Sequence, residues 1–587
     1  MNNILRNKYH NLYCISMLAI ASASLTSCQS LDFTPSDQMS GQIFWQTEDH
    51  ARQAAIGMYA AMKAQWCFGM EFTFDMCSDL ADGTTPWSDI SRGNTFASGS
   101  SGVQNHWQYL YELIHRANTV IRNVKDMPIS EQTIDRVTGE AKFLRAMAYF
   151  RMLNCWGGVP YYDETCDINE MFANLQSPRS SYEEIYSYIL KDLDEAIAKL
   201  PVKWDSSDLG RATKGAAYAL RGKVYLFNRE WDKAVEDFEE VVLNKNNDYG
   251  YSLHPDYNEL FRLYNGKTSQ EMIFSIQSID GNTSGYALDI VSYFGNKSTM
   301  RLIAGNCIVP STTLVDMYEN QDGSDFNWDD LFPGFNDGDS QLRRQYMCVA
   351  IDQAAEKVVS TLECDTTKVM DAYRLRDPRL CLNVITPYSH YLGTDAGSTP
   401  MDKQFVLADP TQGGAPMEAK AFIRNSEGWN SYFWRKWIPT GNLDGYWGEY
   451  NRTPYEFPLL RLGDVILMLA EAYNECGELN KAIVEVNKIR NRVGMPGLNS
   501  GPEWLSVSNK EEMAERIRRE RAFELAGEGQ RYWDLRRWGL LESSVKDAKD
   551  IFGDLMYTRS YQQRHKLWPI PLVELERNLN LTQNPGW

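Results

Sequence analysis

The sequence predicts a mostly helical protein in which a scaffold of paired helices carries one long, loop-rich insertion. Three observations support this prediction. Apolar residues recur at helical spacing over most of the chain, two distant segments share the spacing of one helical repeat, and residues 262–450 lose that spacing. Because 43% of the residues are apolar, the chain can also bury a substantial core.

Amphipathic helices follow one another in the first part of the chain. The expected helices are 48–66, 107–127, 135–155 and 181–201. Thr47 can cap the first of them, and Ser180 or Ser181 can cap the last. Pro201 provides the stop signal for that last helix.

Two segments, 216–242 and 464–493, have the residue spacing of a tetratricopeptide repeat. The first has Tyr218, Gly222, Tyr225, Ala234 and Phe238, and the second has Ala470, Tyr473, Ala482 and Val486 at matching offsets. In such repeats, small residues lie where two helices cross closely, and aromatic residues lie where the helices diverge. One scaffold interrupted by an insertion is the expected arrangement, and two unrelated helical hairpins are the alternative.

The insertion, residues about 262–450, is rich in Gly, Asn, Asp, Ser and Thr. A short strand is expected within 267–280, turns over 320–340 and an aromatic-rich loop over 428–450. Loops of this length are usually functional or disordered, and the high aromatic content disfavours disorder. We therefore expect the insertion, together with the early loop 79–106, to form the ligand-binding lobe.

An apolar leader ends at a cysteine. Arg6 and Lys8 precede an apolar run over 12–25, which is too short to cross a hydrocarbon core of roughly 30 Å as a helix. The run ends in Leu-Thr-Ser-Cys, which resembles the lipobox of bacterial lipoproteins. That resemblance implies a signal peptide over 1–27 and an acylated Cys28 as the mature N-terminus, whereas a plain signal peptide is the alternative.

The acidic composition argues against a nucleic-acid partner. The formal net charge is −19, and loss of Arg6 and Lys8 with the leader makes it −21. Nucleic-acid affinity comes largely from Lys and Arg on phosphates.

The cysteines beyond Cys28 are odd in number and have no C-x-x-C spacing, so they indicate neither a disulfide framework nor a zinc site. Pairing of Cys67 with Cys77 or of Cys155 with Cys166 stays open beside buried free thiols.

Several motifs along the chain resemble the SusD/RagB family. They are "AKFLRAMAYFRMLNCWGGVPYY" (141–162), "YRLRDPRL" (373–380), "FPLLRLGDVILMLAEAYNECG" (457–477), "NKIRNRVGMPG" (487–497), "RIRRERAFELAGEGQRYWDLRRWG" (516–539) and "LWPIPLVELERNLNLTQNPGW" (567–587). Together with the lipobox and the paired repeats, they extend over nearly the whole chain.

This resemblance implies a single SusD-like domain over 28–587. Its helical scaffold would occupy about 40–260 and 451–540, the insertion about 262–450, and an extended C-terminal strap 541–587. The family is known as surface-exposed outer-membrane lipoproteins that capture glycans or peptides without cleaving them. They act as a lid on a TonB-dependent porin of the SusC type, which the tetratricopeptide-like helices contact. A helical glycoside hydrolase and a repeat scaffold that binds only protein are the alternatives.

Aromatic residues in loops are the candidate glycan contacts, because flat rings cover the C–H face of a sugar and polar groups satisfy its hydroxyls. The candidate rings are Trp66, Trp87, Tyr293, Trp328, Trp434 and Trp447, with Asn94, Asp82 and Arg92 as polar partners. Trp87, Tyr293 and Trp328 lie roughly where the family places its ligand-contacting rings. Trp87 lies in a turn-rich loop, where burial is less expected, although an ordinary packed aromatic is the alternative for each ring.

Two further motifs predict structure. In the segment 511–537, the pairs Arg516–Glu520 and Arg521–Glu524 have the spacing of helical neighbours, and Gly527 and Gly529 can end the helix. Near the end of the chain, Pro569 and Pro571 disfavour helix and predict an extended segment.

No cofactor is expected. The oxygen-rich loop with Asp322, Asp325, Asn327 and Asp329 is a candidate for calcium, although it lacks the EF-hand spacing and the terminal Glu.

Overall fold

The computed structural model describes twelve stretches of the chain. They are residues 44–96, 99–166, 176–262, 269–278, 288–295, 306–352, 357–360, 364–394, 399–408, 422–423, 430–441 and 455–587. Cys28, the leader and Trp447 lie outside these residues.

Helices dominate the described chain, as predicted. Those of eight residues or more are α1 (Glu48–Lys63), α2 (Ser101–Val124), α3 (Glu131–Trp156), α4 (Tyr182–Lys199), α5 (Lys214–Phe227), α6 (Trp231–Val242), α7 (Ser340–Met347), α8 (Thr366–Arg374), α9 (Leu462–Glu475), α10 (Leu479–Arg492), α11 (Lys510–Leu525) and α12 (Arg531–Trp538). Shorter α-helices are Ser88–Arg92, Tyr257–Leu260, Ile290–Phe294, Thr312–Met317, Pro378–Asn383, Leu541–Ser544 and Leu572–Arg577. No helix of the described stretches has both the length and the apolar character needed to cross a membrane.

The strands are short and form small separate sheets. They are β1 (Ala81–Gly83), β2 (Met272–Ile276), β3 (Ile308–Pro310), β4 (Ala350–Asp352), β5 (Lys357–Ser360), β6 (Val384–Ile385), β7 (His390–Thr394), β8 (Pro400–Phe405), β9 (Phe422–Ile423), β10 (Phe433–Trp434), β11 (Phe457–Arg461), β12 (Ala548–Lys549) and β13 (Leu555–Tyr557). β2, the strand expected within 267–280, pairs antiparallel with β11, and β1 pairs antiparallel with β3.

Side-chain caps set the helix starts largely as predicted. The Thr47 side chain accepts a hydrogen bond from the backbone of His50, and Ser181 forms a capping box with Glu184. α1 ends at Lys63, three residues earlier than expected, because Ala64 leaves the helical conformation and the chain enters a π turn over 65–69. Gly69 permits this turn, since a Cβ there would lie 2.4 Å from the carbonyl oxygen of Lys63.

The two predicted repeats form neighbouring helical hairpins. α5 packs on α6, α9 packs on α10, and α6 packs on α9, although residues 243–461 separate the hairpins in sequence. Gly222 allows the close crossing in the first hairpin, because a Cβ there would lie 2.6 Å from the Phe238 ring. The prediction of one tetratricopeptide-like scaffold is therefore confirmed. α2, α3, α4 and α5 extend it, each packed on the next.

Charges on α11 pair with distant segments, and the predicted pairs along the helix are wrong. Glu520 pairs with Arg379 at 2.6 Å and with Arg490 at 3.2 Å. Arg516 pairs instead with Glu319 at 3.0 Å. This side of the helix faces the interior, so spacing along the helix does not choose the partners.

Arg461, at the end of β11, is the centre of this buried network. Its guanidinium lies 2.8 Å from Glu271, 2.7 Å from Glu524 and 2.6 Å from Glu528. The Arg461 cluster, as we name it, comprises Arg379, Lys436, Arg461, Arg492, Glu271, Glu520, Glu524 and Glu528. Charges this deep are tolerated only when several partners compensate the lost hydration. The cluster joins three parts of the insertion to β11, α10 and α11.

The C-terminal segment crosses the end of α3. The Trp156 indole donates to the carbonyl oxygen of Pro569 at 3.0 Å, and the Trp568 backbone donates to Cys155 at 2.7 Å. The expectation of an extended segment is only partly met, because Pro571 immediately precedes the helix Leu572–Arg577.

All nine cysteines of the described stretches are free thiols.

Candidate functional site

Three segments meet at one surface beside the start of α2. They are the π turn 65–69, the loop that follows β1, and the short helix Ile290–Phe294. Pairing of β1 with β3 continues to Thr84, whose backbone donates to the carbonyl oxygen of Cys307 at 3.0 Å. The Gln65 amide nitrogen lies 3.5 Å from the Tyr293 hydroxyl oxygen. We name Gln65, Trp66 and Tyr293 the aromatic surface.

Trp66 is half-buried, and neighbouring groups fix its position. Its ring packs edge-on against Trp87, with centroids 5.4 Å apart. Gly102 in the first turn of α2 permits this approach, because a Cβ there would lie 2.9 Å from Trp87 and 3.4 Å from Trp66. The His106 ring nitrogen Nδ1 lies 2.6 Å from the Trp66 carbonyl oxygen, which can only accept, so Nδ1 donates. Burial, and then the charge of Arg151, lower the pKa of His106 to about 3, so the imidazole is neutral.

Tyr293 presents a neutral hydroxyl beside the Gln65 amide. Its ring packs edge-on against Phe72, with centroids 5.9 Å apart. Burial, and then the charge of Asp289, raise the pKa of Tyr293, so the phenol keeps its proton. The aromatic surface therefore combines two half-buried rings, a hydroxyl and an exposed amide, and none of these groups carries a net charge.

Trp87 is buried, which corrects the expectation that its turn-rich loop exposes it. Only 1% of the residue is exposed, the ring stacks on Phe74 at 4.8 Å, and its indole donates to the Thr73 hydroxyl at 2.7 Å. A ring so enclosed has no face for a ligand in this conformation. Its position behind Trp66 makes it a support for the aromatic surface.

Trp328 and Trp434 are also buried, which corrects their expected place on the binding surface. Trp328 stacks on Phe335 at 4.7 Å, and its indole donates to Asp316 at 2.8 Å. Trp434 stacks on Phe294 at 4.9 Å and is 1% exposed. Both rings are part of the core, where loops of the insertion pack.

The expected polar partners have different environments. Asn94 is exposed in the loop that leads into α2. Asp82 is buried and pairs with Arg559 at 2.7 Å, so its carboxylate is already engaged. Burial raises the pKa of Asp82, and Arg559 opposes that shift. The Arg92 guanidinium lies over the Tyr557 ring at 4.8 Å.

Two exposed side chains are absent from the sequence prediction. Gln65 is the first residue of the π turn, and Phe96, which is 62% exposed, lies in the loop before α2. The sequence signal for Phe96 is an aromatic residue in a Gly-, Asn- and Ser-rich loop, the signal that selected Trp87 instead. Nothing in the local pattern distinguishes Gln65 from other helix-end glutamines.

The loop considered for calcium directs its oxygens toward donors of the protein itself. The Asp322 carboxylate accepts from Ser324 at 2.6 Å, and Asp325 pairs with Arg519 at 2.7 Å. Among the residues that the structure describes, no group of three or more His, Cys, Asp or Glu side chains is arranged to hold a metal ion.

Comparisons with known proteins give one consistent result. A family model described as "SusD family" matches residues 270–587, and a second, described as "Starch-binding associating with outer membrane", matches residues 31–226. The chain is 26% identical to SusD-like protein P25 of Formosa agariphila over 94% of this chain and 95% of that protein. It is 23% identical to the starch-binding protein SusD of Bacteroides thetaiotaomicron over 99% and 100% of the two chains. A crystal structure of a SusD-like protein from Bacteroides fragilis superposes with a TM-score of 0.72 at 25% identity, covering 94% of this chain and 100% of that one.

Proposed function

The chain belongs to the SusD family, and on this premise we propose that it is a non-catalytic cell-surface lipoprotein that captures glycans. It would then pass them to a TonB-dependent outer-membrane transporter of the SusC type. The observation that carries the proposal is the aromatic surface of Trp66 and Tyr293 with the Gln65 amide between neighbouring loops. One relative's name, starch-binding protein, is consistent with a carbohydrate ligand.

The aromatic surface suits a neutral sugar on chemical grounds. A pyranose ring has an apolar face of C–H groups, which an indole or phenol ring can cover with little loss of side-chain entropy. The Gln65 amide both donates and accepts, so it can satisfy a pair of hydroxyls at the ring edge. A binding role needs no further group.

Glycan retention tests the proposal. Full-length protein in detergent is run by native affinity electrophoresis through gels containing soluble starch, laminarin, galactomannan or arabinoxylan. We expect at least one polymer to retard the protein, and Trp66→Ala/Tyr293→Ala to weaken that binding at least tenfold, about 1.4 kcal/mol. Retardation of wild type and variant alike would refute the role of these rings.

A matched control separates ring loss from unfolding. Trp504 is 47% exposed and Tyr182 is 38% exposed, and both lie elsewhere on the molecule. Trp504→Ala/Tyr182→Ala should therefore keep wild-type retardation. Thermal unfolding of both double variants confirms that each is folded, and an assay for new reducing ends tests the absence of catalysis.

The lipid anchor and the transporter need separate tests. Cys28→Ser should abolish metabolic labelling by palmitate and release the protein from the outer-membrane fraction. A SusC-type transporter should co-purify with the anchored protein from detergent extracts, with glycan present or absent. Labelling that survives Cys28→Ser would exclude this cysteine as the attachment site.

A further inference from the structure

The segment that follows β13 holds one end of the strand β1. The Arg559 guanidinium donates to the carbonyl oxygens of Ser78 and Ala81, at 2.6 and 3.0 Å. It also pairs with the Asp82 carboxylate at 2.7 Å. A planar guanidinium can hold several acceptors at fixed angles at once, which a single ammonium group cannot do. Arg559 therefore fixes the backbone where β1 begins.

Tyr557 holds the other end of β1. Its hydroxyl accepts from the backbone nitrogen of Gly83 at 3.0 Å and from the Arg559 guanidinium at 3.1 Å. The segment itself is fixed, because β13 pairs with β12 and the Arg559 backbone donates to Asp547 at 2.8 Å. We name Tyr557 and Arg559 the β1 clamp.

β1 passes this position on to β3 across their antiparallel pair. Gly83 lies opposite Ile308 in the pair. The backbone of Thr84, the next residue, donates to the carbonyl oxygen of Cys307 at 3.0 Å. The approach is close, because a Cβ on Gly83 would lie 2.7 Å from that carbonyl oxygen. A shift of β1 would therefore displace Cys307.

Cys307 in turn holds the backbone of Tyr293. The Cys307 N–H donates to the carbonyl oxygen of Tyr293 at 3.0 Å. The neighbouring Asn306 N–H donates to Gly295 at 2.9 Å, so two bonds join this segment to the end of the helix Ile290–Phe294. A series of backbone contacts thus connects the β1 clamp to one ring of the aromatic surface.

The β1 clamp is too buried to bind a ligand itself. The Arg559 side chain is 2% exposed and Tyr557 is 8% exposed. An effect of either residue on binding has to act through the backbone that it holds.

We propose that Arg559 is a positioning residue for glycan binding and that it acts through β1 and β3 on Tyr293. This inference rests on the proposed glycan-binding function. The β1 clamp keeps the Tyr293 ring in the position that the ligand requires, so a segment near the end of the chain sets the affinity of a surface that is distant in sequence.

Arg559→Lys tests this role without leaving a buried carboxylate unpaired. The lysine keeps a cation beside Asp82 but cannot also hold the carbonyl oxygens of Ser78 and Ala81. Full-length protein in detergent is run by affinity electrophoresis through soluble starch, laminarin, galactomannan or arabinoxylan. We expect Arg559→Lys to bind the most strongly retained polymer about threefold more weakly than wild type. Tyr557→Phe, which removes only the hydroxyl, should weaken binding in the same direction.

Arg221→Lys is the matched control. The Arg221 guanidinium also makes two bonds to one carboxylate, that of Asp237, at 2.8 and 2.6 Å, but it lies in the hairpin of α5 and α6. This variant should keep wild-type retardation. Thermal unfolding verifies that each variant is folded.

A double-variant cycle distinguishes positioning from a general loss of stability. If Arg559 acts through Tyr293, Arg559→Lys should weaken binding in the wild-type and Trp66→Ala backgrounds but have no further effect in Tyr293→Ala. An equal loss in all three backgrounds would overturn the proposal, because Arg559 would then act independently of Tyr293.

Hydrogen exchange without ligand supplies a measurement that does not depend on the glycan. Peptides that contain Thr84 or Cys307 should exchange about tenfold faster in Arg559→Lys than in wild type, and at the wild-type rate in Arg221→Lys. If wild type binds a polymer but Arg559→Lys leaves exchange or affinity unchanged, Arg559 is not a positioning residue and the proposed function stands. If wild type binds none of the four polymers, the proposed function falls, and the positioning role falls with it.

Discussion

The Arg461 cluster and the aromatic surface use polar groups in opposite ways. In the cluster, full charges are buried, and each has two or more partners drawn from segments far apart in the chain. At the aromatic surface, the groups are uncharged, partly exposed and supported from behind by packed rings. The difference indicates that buried charge holds the scaffold together, whereas the surface proposed for glycan binding consists of neutral groups.

The largest expected effect is loss of the cluster's central cation. Arg461→Ala leaves Glu271, Glu524 and Glu528 buried without that partner, so we expect the free energy of unfolding to fall by about 3–5 kcal/mol. Arg374→Ala removes an exposed guanidinium paired with Asp371 and should cost about 1 kcal/mol or less. Denaturant unfolding measures both, and equal losses would show that burial does not matter here.

A smaller effect is expected when acid protonates Asp464, a buried carboxylate near the cluster, and thereby lowers the stability of the fold. Burial acts to raise the pKa of Asp464, but the charges of Lys223 and Arg521 outweigh it and lower the pKa to about 2. A lowered folded pKa stabilises the fold above the unfolded value and loses that contribution as pH falls. The difference in unfolding free energy between wild type and Asp464→Asn should therefore shrink by about 2 kcal/mol from pH 5 to pH 2.

Asp75 provides a control, because its contribution to stability changes with pH in the opposite direction. Burial is the main cause that raises its pKa to about 7, so the folded state binds this proton more tightly than the unfolded state. Stability from Asp75 is thus lost as pH rises from about 4 to about 7. Asp75→Asn should flatten that fall, and a fall of unchanged size would contradict the assignment.

Changing Trp87, the ring that supports Trp66, should weaken glycan binding less than removing Trp66 itself. Trp87→Phe removes the indole edge behind Trp66 and the bond to Thr73, so we expect about threefold weaker glycan binding and a stability loss near 1 kcal/mol. Trp328→Phe removes a comparable buried ring with a bond to Asp316 and should leave glycan binding unchanged. Titration and thermal unfolding distinguish the two variants.

The smallest effect is that of salt. Because the aromatic surface has no charged member, raising the ionic strength should change glycan affinity less than about twofold. A steep decrease of affinity with salt would instead indicate an anionic ligand, and would make the contrast between cluster and surface less sharp.

Local spacing was sufficient to predict the scaffold. Gly222 and Phe238 lie at repeat offsets, and in the structure they are in contact, because close helix crossing depends on a few small and large residues at fixed intervals. The helix caps formed by Thr47 and Ser181 are also local, because each side chain bonds to a backbone group three residues later. Such features need no information from the rest of the chain.

Long-range contacts were beyond the same reasoning. Glu520 forms an ion pair with Arg379, which is 141 residues away, and not with Arg516 on its own helix. Trp87 shows a related limit, because turn residues indicate where the chain bends and not which way an indole points. The ligand-binding roles of Trp66 and Tyr293 stay predictions.

The contact between α6 and α9 has a consequence for biogenesis. The partner of the first hairpin is encoded after residue 461, so that hairpin's apolar side stays uncovered until most of the polypeptide has been made. Packing of the two hairpins against each other is therefore a late event in synthesis. Premature termination before α9 should yield a product that cellular proteases clear quickly.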